Sequence, residues 1–161
     1  MADAIAPLQS QSPEQTRAIG AEIGKALRTG DVVALVGPLG AGKTQFVKGL
    51  AAGAGVADAR QVNSPTFVIV NEYDAGPLRF YHLDAWRLRG ADDLDALGFD
   101  EMQTRGPVVI EWADRVSDIL PTDLLTVKIE PTGDQTRALT ITAAGQRSDA
   151  LRSRLAGSAM L

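Results

Sequence analysis

The sequence predicts an α/β protein, a central mixed sheet flanked by helices with an antiparallel hairpin portion. Three observations carry that prediction. First, Asp31-Val32-Val33-Ala34-Leu35-Val36 and Pro107-Val108-Val109-Ile110-Glu111-Trp112 are short, almost continuous apolar runs, the pattern of strands buried between two layers. Second, helix-period segments beginning near Ser12 and Thr44 alternate with such runs. Third, two other strand-like pairs are split by the turn sequences Asp74-Ala75-Gly76-Pro77 and Pro131-Thr132-Gly133, hairpin chemistry that a purely doubly wound sheet lacks.

Residues 1–11 show no periodicity and are expected to form a flexible N-terminal arm. Ser12-Pro13-Glu14-Gln15 marks a helix start: a Ser cap, Pro at the first helical position, where its missing N–H is no loss, and Gln three residues after the cap. Ile19, Ile23, Ala26 and Leu27 supply one apolar face, and Gly30 suits the exit. After the strand at 31–36, Thr44–Ala52 reads as a helix with Phe46, Val47 and Leu50 on one side. Residues 56–63 connect to the stiff turn Ser64-Pro65-Thr66, which enters a strand over Phe67–Tyr73, rich in β-branched and aromatic residues. Leu78–Asp84 is its returning partner. Asp92–Leu97 is a short helix, and its Asp92, Asp93 and Asp95 suit a helix N-terminus, lacking the Gly and final Glu of a calcium loop. Leu124–Glu130 and Arg137–Thr142 alternate as a second strand pair. One domain over residues 12–145 is expected, followed by a surface helix or tail at 146–161.

Composition narrows the function classes. With 161 residues, 45% of them hydrophobic and 22% charged, the chain has the make-up of an ordinary globular domain. A net charge of −4 offers no overall basic field for a nucleic acid backbone, so any RNA connection is expected to run through a partner protein. The absence of cysteine excludes disulfides, thiolate metal sites and a Cys nucleophile. No segment approaches the roughly 18 apolar residues of a membrane span. The first residues lack the basic-then-apolar order of a secretion signal, so the expected location is the cytoplasm.

The most informative segment is Gly37-Pro38-Leu39-Gly40-Ala41-Gly42-Lys43-Thr44, a complete G-x-x-x-x-G-K-T phosphate-binding loop between a strand and a helix. Its glycines let the backbone curl so that successive N–H groups meet phosphate oxygens. Lys43 reaches the outer phosphates and the Thr44 hydroxyl ligates magnesium. The fold expected around such a loop is that of the P-loop NTPases. Magnesium on a triphosphate also wants a carboxylate at a neighbouring strand end, and Asp84 and Glu111 each offer one. Ser64-Pro65-Thr66 is either a rigid strand entry or a switch whose hydroxyl senses the terminal phosphate. His82, the single histidine, reads as a packed or solvated strand residue, with no Ser/His/Asp arrangement nearby. Trp86 and Trp112 read as core or site-wall aromatics, and Arg87 and Arg89 as solvated or phosphate-contacting. No Asn-Lys-x-Asp guanine-reading tetrad occurs, which favours adenine.

The ordered set of the phosphate loop, Ser64-Pro65-Thr66-Phe67, His82-Leu83-Asp84-Ala85-Trp86-Arg87 and Ile110-Glu111-Trp112 resembles the TsaE family of small bacterial P-loop ATPases. The similarity spans about residues 12 to 142. That family acts with the proteins TsaB and TsaD in placing threonylcarbamoyladenosine beside the tRNA anticodon. The resemblance implies ATP and magnesium as cofactors, with TsaB and TsaD as partners and tRNA met only through the complex. It implies that Gly37, Leu39, Gly40, Ala41, Gly42, Lys43 and Thr44 hold the phosphates, and that Gln11 and Pro13, in the stretch Gln11–Thr16, lie near the adenine. Arg137 matches a late arginine close to the nucleotide. Thr44 and Glu111 are the implied magnesium ligands, while Lys43, Asp84 and Thr66, the last in a switch-like element, are the implied catalytic residues. Two positions depart from the family: Pro38 replaces an acidic residue, and Trp86 replaces Tyr. The resulting expectation is a weak, partner-stimulated ATPase regulating TsaB–TsaD. A small-molecule P-loop kinase and a non-enzymatic nucleotide-gated module remain as alternatives.

Overall fold

The computed structural model describes residues 3–4, 7–38, 40–58, 62 and 70–156. Leu39, the Ser64-Pro65-Thr66-Phe67 element and residues 157–161 lie outside them. The described chain runs β1 (Asp3–Ala4), β2 (Leu8–Ser10), α1 (Pro13–Gly24), β3 (Val32–Val36), α2 (Lys43–Ala54), β4 (Val70–Ala75), β5 (Leu78–Asp84), α3 (Ala91–Ala96), α4 (Phe99–Gln103), β6 (Val108–Glu111), β7 (Leu125–Pro131), β8 (Arg137–Ala143) and α5 (Gln146–Ala156). Two stretches of 3-10 helix, Ala85–Arg87 and Ala113–Ile119, follow β5 and β6.

Eight strands form one mixed sheet in the order β1-β8-β7-β3-β6-β5-β4, with β2 also on β8. The middle four, β7, β3, β6 and β5, are mutually parallel, and the hairpins β4–β5 and β7–β8 supply the antiparallel margins. This is the mixed α/β sheet expected. Burial explains the apolar runs: Val33 and Leu35 pack into the core beneath α1, α2 and α5, and Val32 and Ala34 into the opposite one beneath α3, α4 and the second 3-10 stretch. A strand covered on both faces has no use for polar alternation.

The start of α1 follows its sequence cues. Ser12 Oγ accepts from the Gln15 N–H at 3.1 Å, Pro13 occupies the first turn, and Gln15 Oε1 accepts from the Gln11 N–H at 2.7 Å. The helix stops at Gly24, short of the expected exit. Gly30 instead turns the chain into β3 at φ +94°, helped by the Asp31 carboxylate accepting from the Arg28 N–H at 2.8 Å.

Helices α1 and α2 touch backbone to backbone. A Cβ at Gly49 would stand 2.0 Å from the Arg17 carbonyl oxygen, at Gly53 2.3 Å from that of Ala21, and at Gly24 2.3 Å from that of Leu50. These glycines set the position of α2, and with it the phosphate loop at its start.

Both chain ends depart from expectation. Leu8–Ser10, expected in a loose arm, pairs antiparallel with β8 in the register Leu8↔Leu139 and Ser10↔Arg137. Ser10 is fully buried, its hydroxyl donating to the Ser12 carbonyl at 2.8 Å and sharing a 2.7 Å hydrogen bond with Thr16 Oγ1. Three residues are too short a run to display a period, so the pairing could be decided only by β8. Helix α5 is likewise more than a surface helix. Leu151 and Leu155 enter the core, and the Asp123 carboxylate accepts from the Arg147 and Ser148 N–H groups at 2.8 Å each. Arg147 grips both Asp31 oxygens, at 2.9 and 2.8 Å, tying the last helix to the root of β3.

Candidate nucleotide site

The loop leaves β3 at the carboxyl edge of the parallel strands, where β6 and β7 flank β3 on opposite sides. In open α/β sheets this edge is where ligands bind. Gly37 lies so close to β7 that a Cβ there would meet the Ile129 carbonyl at 2.5 Å. Gly40 and Gly42 take φ of +79° and +97°, a conformation natural to glycine, and Gly42 begins α2 with no side-chain cap. An uncapped helix N-terminus behind a glycine loop is suited to an anion. Pro38 serves the loop through its carbonyl, which accepts from the Ala41 N–H at 3.1 Å and from Lys43 at 3.2 Å.

Lys43 is only 6% exposed. Its ammonium donates to the Gly37 carbonyl at 2.6 Å and stands 4.0 Å from the centre of the Trp112 ring. Burial lowers its pKa, while the carboxylates of Glu111, Asp84 and Asp114 act in the opposite sense. Trp112 reaches this position through a left-handed backbone, φ +57°, the only positive φ outside glycine among the described residues. Trp86, 55% exposed, leans on Trp112 with ring centres 4.8 Å apart, and the Arg115 guanidinium lies 5.0 Å from the Trp86 ring. The two tryptophans are thus site-wall aromatics. Arg87 and Arg89 are both exposed.

Asp84 and Glu111 are register partners at the ends of β5 and β6. They share the face of Val109 and Phe80, which is the α2 side of the sheet. Asp84 Oδ1 accepts from the Trp86 N–H at 2.9 Å and so caps the 3-10 turn. Glu111 is buried, and its Oε2 lies 2.5 Å from Nε2 of His82. Asp84 and Glu111 offer carboxylate oxygens near Lys43, and Thr44, next in the chain, carries a hydroxyl; hard oxygens of this kind are the donors magnesium takes. No group of three His, Cys, Asp or Glu able to hold a metal ion is found among the described residues. A phosphate-bound magnesium does not need one, because phosphates and waters complete its shell.

Arg137, expected near the nucleotide, clasps the loop from outside. Its Nε donates to the Ala41 carbonyl at 2.7 Å and an Nη to that of Gly40 at 3.4 Å, while the other Nη holds the Gly133 and Thr136 carbonyls at 3.0 and 2.8 Å. Ser10 is the register partner of Arg137, so the strand that leads into Gln11 and Pro13 pairs with the residue that clasps the loop. Arg137→Met is expected to weaken ADP and ATP binding alike by about tenfold, roughly one charge-assisted hydrogen bond's worth. Calorimetric titration of both nucleotides checks this, and unchanged affinities would remove the clasp role.

Sequence reasoning missed the His82–Glu111 contact. The strand spacing puts His82 on the face of Asp84, but it does not name Glu111, 29 residues away, as a partner.

A glycine loop running from a central parallel strand into a helix, facing two strand-end carboxylates, defines the phosphate-loop class of α/β proteins. Within that class, residues 10–139 match the family described as threonylcarbamoyl adenosine biosynthesis protein TsaE, and the chain belongs to that family. It is 43% identical over 141 residues to the tRNA threonylcarbamoyladenosine biosynthesis protein TsaE of Bacillus subtilis, covering 87% of each chain. To the Treponema pallidum protein of the same name it is 39% identical over 133 residues, covering 82% of this chain and 96% of the relative. A crystal structure of Bacillus subtilis YdiB superposes with a TM-score of 0.78 at 35% identity, covering 97% of this chain and 96% of that one.

Proposed function

We propose that this TsaE-family chain is a magnesium-dependent ATP-binding protein and weak ATPase. In this reading it acts in the cytoplasm as a nucleotide-dependent regulator of the TsaB–TsaD complex during threonylcarbamoyladenosine modification of tRNA. The observation that carries the proposal is the grouping of a buried Lys43 with Glu111 and Asp84 at the mouth of the glycine loop. A buried cation facing acidic groups is arranged to meet a polyanion and its counter-cation together.

In this reading Lys43 exchanges its loop carbonyls for the outer phosphates and neutralises charge that grows during hydrolysis. Thr44 and Glu111 would hold magnesium, which when bound supplies further charge neutralisation. Asp84, and Thr66 in the switch-like element, orient the attacking water. Gln11 and Pro13 would border the adenine, since their neighbour Ser10 pairs with the loop-clasping Arg137. Contact with tRNA is expected only through the complex, given the net charge of −4. No helix among the described residues is long and apolar enough to cross a membrane.

The test is multiple-turnover phosphate release, with the chain alone and with TsaB and TsaD added. Slow release that rises at least about tenfold with the partners is the expected outcome, since completing an active site is worth that much or more. Phosphate transfer to a small metabolite instead of water would sink the regulator reading. So would a failure to associate with TsaB–TsaD in both the presence and the absence of ATP.

A further inference from the structure

We propose that His82 is a positioning residue, which sets the Glu111 carboxylate for the divalent cation that accompanies the nucleotide. The inference rests on the magnesium–nucleotide reading above. His82 sits inside β5 with no exposed surface, and Glu111 ends β6 next to it with 4% exposed. Their side chains meet at 2.5 Å between Nε2 and Oε2. A carboxylate oxygen accepts, so Nε2 donates and the ring carries its proton there.

The other ring nitrogen separates this arrangement from a satisfied core histidine. Nδ1 is buried and has no hydrogen-bond partner among the described residues. Leaving a buried polar atom unpaired is destabilising, a cost that an apolar residue at this position would avoid. Position 82 faces apolar Val109 in the sheet register, so packing alone gives no reason for an imidazole. The ring's one hydrogen bond goes to the carboxylate proposed as a metal ligand. Asp84 stands opposite Glu111 in the same register. Two acids that close repel, and free rotation would carry Glu111 away from its neighbour. The donor on Oε2 pins one edge of the carboxylate, so the direction of the other is set before any cation arrives. Such outer partners of metal ligands typically change affinity by about 10–100-fold.

The full-length chain is titrated calorimetrically with a non-hydrolysable ATP analogue, in EDTA and across a magnesium series. The set is the wild type, His82→Leu, His82→Gln, Glu111→Ala and the double variant His82→Leu/Glu111→Ala. His82→Leu should raise the magnesium concentration for half-maximal enhancement about tenfold or more. Its metal-free affinity should stay within about twofold, because the phosphate loop is untouched. His82→Gln, whose amide nitrogen reaches about as far as Nε2, should recover most of the loss. The double variant should be no worse than Glu111→Ala, the mark of two residues acting as one. Wild-type magnesium dependence in a cooperatively folded His82→Leu protein overturns the inference, as does an equal fall in metal-free and metal-dependent affinity. Should His82→Leu not fold, His82→Asn, with too short a reach, takes its place under the same outcomes. No magnesium effect on the wild type would instead overturn the magnesium reading beneath, and the inference with it.

Discussion

Lys43→Ala is expected to weaken ATP binding at least about 100-fold, roughly 3 kcal/mol. A hydrogen bond to a charged group contributes about 1.5–3 kcal/mol, and the lysine offers more than one donor to the phosphates. The substitution also leaves the carboxylates of Glu111, Asp84 and Asp114, which act on Lys43 in the free protein, unopposed against an incoming polyanion. Folding should be preserved, since the loop geometry rests on Gly40 and Gly42 and on the Arg137 clasp. A pH series sharpens the test. Burial sets the Lys43 pKa below the usual lysine value, and the protonated form is the one that attracts phosphate. Wild-type affinity should therefore be fully present below that lowered pKa and decline as pH rises through it, ahead of ordinary lysines. Lys43→Ala should lack this decline. Wild-type affinity in the variant would remove the loop from nucleotide binding altogether.

Gly49→Ala should be the most destabilising single methyl addition at the α1–α2 contact. The new Cβ would stand 2.0 Å from the Arg17 carbonyl oxygen, and the atom that must give way belongs to a helix backbone. Overpacking of this kind costs about 3 kcal/mol or more, because two helices must separate along their length. In a chain of this size that corresponds to a fall in Tm of about 6–12 °C. Gly90→Ala is the matched control, having nothing within 4 Å of its added Cβ and an extended backbone, and should change stability by under about 1 kcal/mol. Equal melting of Gly49→Ala and the wild type would show that the helices do not meet as described. Because α2 begins at the phosphate loop, a partial loss of nucleotide affinity should accompany the loss of stability.

What could be read in advance followed the range of each interaction along the chain. The Ser12 cap, the Pro13 start and the strand Leu78–Asp84 depend on neighbours a few residues away, and they stand where local chemistry places them. The phosphate loop was legible for the same reason, its chemistry being written in consecutive residues. Other contacts join distant segments and leave no local trace. Arg137 reaches Ala41 across 96 residues, Arg147 reaches Asp31 across 116, and His82 meets Glu111 across 29. Leu8–Ser10 carries no strand signal of its own, because a three-residue strand has no period until β8 provides its partner.

By itself, then, the sequence determined the class of the fold, the glycine loop proposed to address phosphate, and the pair of acids set beside it. The family likeness, carried by residues 10–139, lies in that same ordered set of motifs. Only the tertiary structure decided how the loop is held and aimed. It places Lys43 under Trp112, clasps the loop with Arg137, packs α2 against α1 through bare backbone, and sets His82 against Glu111. The physical reason is burial. Away from water a charge or a ring nitrogen is defined by whichever groups the fold brings within hydrogen-bond reach.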